Sequence, residues 1–439
     1  MKNDTYTLSL EKNLKALGLG PIAKQSDWSL HANSKITALS WCQSLCLSSA
    51  GKQCSLRIVA FFLGLKGKLT TSKQSVDKRL DKGGAQLLLK VLEKAVAFKT
   101  DMKEEGSLNA FSRVILQDST CLALPKALRE DFPGSANQAG ATASMRIQAC
   151  FEMKEGRFID FKLGSFRDND QGASREALTI ARKGDLLLRD LGYFSLEAFR
   201  EYIEKEVHLL TRLRLDTHLF DPKTKKRIDL LRILKSNRSS IFDRDVLVGA
   251  TSKLKMRLVA IPVPQKVADE RRRKLRANRD ARTNPGRVVL ALQGWQIFLT
   301  TAAKEQLPTE EIAKLYAIRW RIETLFKSWK SSLGIGAFHP RISAELARAL
   351  TYAALLRITL MHSRIMPSCL DGDCSSKYSI LKFSSLIGII QLADELRSVD
   401  EETLKANLKK HSLYEKRNRR NLMELWGEVA AENYMAMAA

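Results

Sequence analysis

The chain has 439 residues, with 73 Lys and Arg against 48 Asp and Glu and a formal charge of +25. That length buries a large core and implies two to four domains, and the 44% apolar content is ordinary for a globular chain. The charge points to a polyanionic partner, nucleic acid before an anionic membrane surface, and no run of eighteen apolar residues is present to cross a bilayer.

The opening MKNDTYTLSLEKN lacks the apolar stretch of a secretory signal. Cys42, Cys46, Cys54, Cys121, Cys150, Cys369 and Cys374 are odd in number and never spaced C-x-x-C. Reduced thiols in the cytoplasm are therefore expected, and a zinc site is not.

Residues 1–108 carry apolar stripes at helical spacing in SKITALSWCQSLCLSSA, SLRIVAFFLGL and AQLLLKVLEKAVAF. Between the last two, a helix over 56–65, a glycine-containing turn and a helix over 72–80 have the layout of a helix-turn-helix. Lys73, Gln74 and Lys78 would then face a major groove. An ordinary helical hairpin with a solvated basic face fits the same residues.

From Phe111 the pattern changes. RVILQ (113–117) reads as a strand ending at Asp118, and PKALREDFPGSANQAGAT as a loop with a helical piece. MRIQACFEM (145–153) and RFIDFKLGSF (157–166) read as a hairpin about 154–156. SREALTIAR is helical, DLLLRD (185–190) a buried strand, SLEAFREYIEKE a helix capped by Ser195, and HLLTRLR (208–214) a strand. This order describes a mixed α/β sheet.

Nearly a hundred residues follow before the next strong helix, too many for a structureless loop. VLVGATSKLKMRLVAIPVP (246–264) reads as a hairpin, and RVVLALQGWQIFLTT (287–301) as two strands about Gly294. Residues 223–282 hold nineteen Lys or Arg against six Asp or Glu. The densest part, 268–286 with Arg272 and Arg273, reads as a basic loop or a helix that orders on DNA.

LPTEEIAKLYAIRWRIETLFKSWKSSLGIG (307–336) reads as one helix, with Thr309 as N-cap and Gly334 ending it. Ile312, Leu315, Ile318, Ile322, Leu325, Trp329 and Leu333 form its buried stripe. Tyr316, Arg319, Glu323 and Lys330 share a neighbouring face. Spacing alone leaves a surface ion-pair ladder open. Residues 342–365 form a further helix, and the tail carries two more helical stretches and a basic patch at 413–421.

The pattern Tyr-x2-Arg-x3-Glu-x6-Lys, at 316, 319, 323 and 330, resembles the signature of the IS-four family of DDE transposases. Asp118 in Asp-Ser-Thr and Asp190 in Asp-x-Gly-Tyr resemble that family's other two catalytic acids. Each Asp alone is more simply a turn cap, and Asp168 and Asp185 compete with them.

The resemblance implies a ribonuclease-H-like mixed sheet core with an inserted β-rich subdomain, flanked by helical domains. Its parts would be a DNA-binding domain (1–108), a catalytic core (109–215), a basic β-rich insertion (216–300), the final core helix (301–336) and a helical domain suited to dimerisation (337–439). It implies that Asp118, Asp190 and Glu323 hold two Mg²⁺, replaceable by Mn²⁺, as oxygen-only ligands suggest. Tyr316, Arg319 and Lys330 would grip DNA phosphates, and Trp295 would stack on a flipped base. The implied enzyme is a cut-and-paste transposase passing through a hairpin on the transposon end. It would act as a homodimer on terminal inverted repeats and target DNA beside the bacterial nucleoid. A decayed, catalytically silent DNA-binding repressor and a ribonuclease-H-like nuclease without strand transfer are the alternatives.

Overall fold

The computed structural model describes residues 9–26, 28, 34–50, 54–67, 70–97, 110–137, 140–236, 241–277, 285–331 and 333–365, with 386, 400, 402 and 403. The expected helices and basic patch beyond 365, and residues 278–284 of the basic stretch, lie outside the described residues.

Six helices come first: α1 (Leu10–Ala16), α2 (Leu19–Lys24), α3 (Ala38–Ser48), α4 (Leu56–Gly67), α5 (Lys73–Arg79) and α6 (Ala85–Val96). Thr37 and Ser40 form a reciprocal capping box at α3, and Ser72 caps α5. α4 and α5 stand where the helix-turn-helix was expected. Lys73 is half-buried, and Gln74 and Lys78 are exposed.

The strands are β1 (Val114–Leu124), β2 (Pro133–Asn137), β3 (Gly140–Glu152), β4 (Arg157–Ser165), β5 (Leu186–Arg189), β6 (His208–Arg212), β7 (Leu219–Phe220), β8 (Phe242–Val248), β9 (Leu254–Pro262) and β10 (Trp295–Thr300). Between them lie α7 (Leu196–Glu204), α8 (Leu230–Ser236), α9 (Gln265–Ala277) and α10 (Arg287–Leu292); α11 (Thr309–Ile318), α12 (Trp320–Ser331) and α13 (Ala344–Leu360) follow β10. They form one sheet in the order β2-β3-β1-β5-β6-β10-β9-β8-β7, with β4 on β3. β1, β5 and β6 run parallel, and the other pairings are antiparallel. The strands of the insertion therefore extend the core sheet, because β10 pairs directly with β6.

One core lies on the face of the sheet that receives α11, α12, α13 and the N-terminal helices, with Val114, Leu116, Tyr316, Ile322 and Trp329. The other lies beneath α7 and the insertion, with Ile115, Leu187, Phe199 and Leu292. The alternation Val114/Ile115/Leu116 thus sends successive side chains to opposite cores. The expected stripe on α11 and α12 is buried, with Ile318 half-buried.

Several local expectations need correction. β1 does not stop at Asp118; its antiparallel pairing with β3 runs on to Leu124, beyond the end of its parallel partner β5. The loop after Pro125 contains β2, and 172–179 is a 3-10 segment. RVVLAL is helical, since a short unbroken apolar run has no period to separate strand from helix. The helix at 307–336 is broken at Arg319, where the turn tightens: the Arg319 N–H bonds to the Tyr316 carbonyl and the Ile322 N–H to the Arg319 carbonyl, each at 3.1 Å. Thr309 is not the N-cap, because its hydroxyl is committed to Asp243, which also pairs with Arg257. Gly334 does turn left-handed, at φ 70°, as a terminating glycine should.

Candidate active site

The parallel pairing of β1 with β5 aligns Gln117 with Arg189 on its last rung. The next residue on each strand is an aspartate, so Asp118 and Asp190 follow side by side where the ladder ends. Residue 323 arrives from α12, which packs across β1.

The three carboxylates meet at one guanidinium. Arg319 Nη1 lies 3.0 Å from Asp118 Oδ2, and Nη2 lies 3.3 Å from Glu323 Oε1 and 3.8 Å from Asp190 Oδ1. The Arg319 side chain is 6% exposed, against 14% for Asp118, 32% for Glu323 and 46% for Asp190. The cluster is therefore sealed beneath and open above.

Burial pushes the Asp118 carboxyl up to about 6, opposed by the Ser119 N–H and Arg319 and reinforced by Asp190 and Glu323. For Arg319, burial acts to lower the pKa, but the surrounding acids outweigh it, Asp190 foremost, and the net direction is upward. Tyr316 is buried and donates its hydroxyl to Asp190 Oδ1 at 3.3 Å; burial, then the Asp190 charge, raises its pKa.

The other expected residues lie elsewhere. Lys330 is exposed on α12. Trp295 opens β10 opposite Pro262 and packs half-buried on the second core. Arg272 is partly engaged within the insertion, with Nε donating to the Leu290 carbonyl at 3.0 Å and Nη1 on Asp269 at 2.8 Å, while Arg273 is exposed. Lys73 lines a groove of about 600 Å³ with Arg57, Asp77, His339 and Arg341. Trp320, beside Arg319, is 61% exposed, a position that helical periodicity gave no reason to single out.

Oxygen donors on a half-open floor suit hard divalent cations. As they stand, no three acidic, His or Cys groups among the described residues are close enough to hold an ion. Arg319 supplies the positive charge between them in this structure, and the all-oxygen donor set is of the kind hard cations take.

A mixed α/β sheet with three acids gathered at its parallel centre is the class of fold this arrangement defines. The sequence profile of the family described as Transposase DDE domain matches residues 109–358, and the chain belongs to that family. It is 28% identical over 318 residues to the transposase for insertion sequence element IS231B of Bacillus thuringiensis subsp. berliner, covering 66% of this chain and 65% of that protein. It is 29% identical over 314 residues to the transposase for IS231D of Bacillus thuringiensis subsp. finitimus, with the same coverage. The chain thus spans just under two thirds of the length of these relatives. Its fold is similar to the piggyBac transposase in a synaptic complex with hairpin DNA, with a TM-score of 0.50 at 9% identity, over 97% of this chain and 89% of that one. Among the described residues no helix is long and apolar enough to cross a membrane.

Proposed function

We propose that this chain excises an insertion sequence from DNA and joins it to a new site by a cut-and-paste route with a hairpin on the transposon end. The observation that carries the reading is the meeting of Asp118, Asp190 and Glu323, far apart in sequence, at Arg319. Asp118, Asp190 and Glu323 would hold two Mg²⁺ or Mn²⁺. When bound, such ions relieve charge on the attacking and leaving oxygens of a phosphodiester.

The protein's own groups do the rest. Arg319, released from the acids, presents a planar fork of donors suited to a phosphate. Lys330 adds an exposed point charge on α12, the helix that begins just after Arg319. Tyr316 holds Asp190 from below through its hydroxyl. Trp295 would offer an indole face to an unpaired base, worth roughly 1–3 kcal/mol. Lys73, Gln74 and Lys78 on α5, with Arg272 and Arg273 on α9, would hold the flanking duplex. Two copies would pair on two inverted repeats, in the cytoplasm beside the nucleoid.

The test is to incubate the protein with Mg²⁺ and DNA bearing the inverted repeats that flank its gene. Double-strand cuts at the repeat ends are expected, with a hairpin intermediate. Asp118→Asn and Glu323→Gln should abolish cutting while end binding stays within about tenfold. Cutting that survives in either variant removes the assignment of the acids.

A further inference from the structure

Asp118 and Asp190 sit just beyond the last hydrogen-bonded rung of β1 and β5, so the ladder itself no longer fixes their separation. The reverse face of the sheet supplies a substitute. Ser119 follows Asp118 and, by strand alternation, points away from Arg319. Its hydroxyl donates to Asp170 Oδ1 at 2.7 Å. The same oxygen accepts from Arg146 Nη1 at 2.9 Å and Gln148 Nε2 at 3.1 Å. Gln148 Oε1 in turn accepts from the Tyr193 hydroxyl, and Tyr193 ends the short turn that begins immediately after Asp190.

A closed path therefore runs from the backbone beside Asp118, through Ser119, Asp170, Gln148 and Tyr193, to the backbone beside Asp190. Its far end is dry, with Gln148 buried and Tyr193 1% exposed, while the Asp170 side chain is 28% exposed. It is also anchored, because Arg146 Nη2 donates to the Phe166 carbonyl and Nη1 also reaches the Ser119 hydroxyl at 2.9 Å. Space at the joint is tight. A Cβ on Gly192 would come within 3.2 Å of Asp170 Oδ2, so glycine there lets the turn approach the carboxylate.

We infer that Asp170 is a positioning residue: its carboxylate braces the strand ends from behind and sets the spacing of Asp118 and Asp190 for divalent cations, an inference that rests on the metal-site reading proposed above. Asp170 does not itself face the reacting groups. It works through the hydrogen bonds that replace the missing rungs of the ladder, as groups behind metal ligands commonly do.

The experiment measures Mn²⁺ binding to the full-length, DNA-free protein by electron paramagnetic resonance, alongside melting temperature. Asp170→Ala should weaken Mn²⁺ binding at least tenfold with melting shifted by only a few degrees. Asp170→Asn retains an acceptor oxygen and should bind within about threefold of the parent. Tyr193→Phe, which removes one link and keeps the ring, should fall between them, and it stands in if Asp170→Ala does not fold. Parent-like binding by both Asp170→Ala and Tyr193→Phe overturns the brace. So does an Asp170→Asn defect as large as that of Asp118→Asn, which would make Asp170 a ligand. Asp118→Asn is the control for the underlying reading: if it too binds Mn²⁺ like the parent, the metal-site assignment fails instead.

Discussion

Arg319→Met leaves three carboxylates facing one another over a floor from which water is largely excluded. The closest pair, Arg319 Nη1 to Asp118 Oδ2 at 3.0 Å, is also the most buried. Removing one partner of a buried pair costs about 3–5 kcal/mol. Asp190 and Glu323 are half open to water, which screens their share, so about 2–3 kcal/mol is expected in metal-free protein. Unfolding by urea, followed by circular dichroism in EDTA, measures that loss. The same substitution removes the charge that competes with a cation. Ca²⁺, which should bind without supporting cutting, should bind the variant roughly thirty- to hundredfold more tightly, since about 1.4 kcal/mol is one factor of ten. Saturating Ca²⁺ should then restore the lost stability by mass action. Equal Ca²⁺ affinity in parent and variant, measured by calorimetry, would refute the idea that Arg319 occupies the cations' place.

His362 is fully buried among Phe151 and Phe158, and burial lowers its pKa to about 4. The unfolded chain takes up a proton near pH 6.5 and the folded one does not, so this site's stability is present above pH 6.5 and declines as pH falls towards 4, by about 3 kcal/mol in all. His362→Phe should flatten that slope in melting curves, and an unchanged slope would assign the acid sensitivity to other groups. Trp295→Ala should reduce hairpin formation more than first-strand nicking on labelled end DNA; equal loss of both would leave the indole a packing role only. Arg273→Glu with Lys274→Glu should weaken DNA binding and lessen its salt dependence, with the slope falling by roughly one or more; an unaltered slope would exclude α9 from the DNA contact.

Much of the fold and site was legible in the chain. The spacing of Tyr316, Arg319, Glu323 and Lys330 is a local property that predicts one shared face; the structure brings the first three together at the acids and leaves Lys330 exposed on α12. Short leucine runs located the parallel strands: β5 carries Leu186-Leu187-Leu188 and β6 the buried Leu209-Leu210. Where the local pattern is degenerate, expectation and structure part. RVVLAL has no period to decide its state, and β1 continues past Asp118 only because β3 does. Arg319 at the break pairs with Asp118, and the Thr309 hydroxyl turns to Asp243, partners more than sixty residues away.

The sequence by itself determined which residue types are present at which spacing, and hence the family and the composition of the acid set. Only the tertiary structure decided that strand register sets Asp118 beside Asp190, that Arg319 stands among the acids, and that Asp170 is hydrogen-bonded to Ser119 on the opposite face. Register, burial and approach across a sheet depend on residues distant along the chain, and no local period records them.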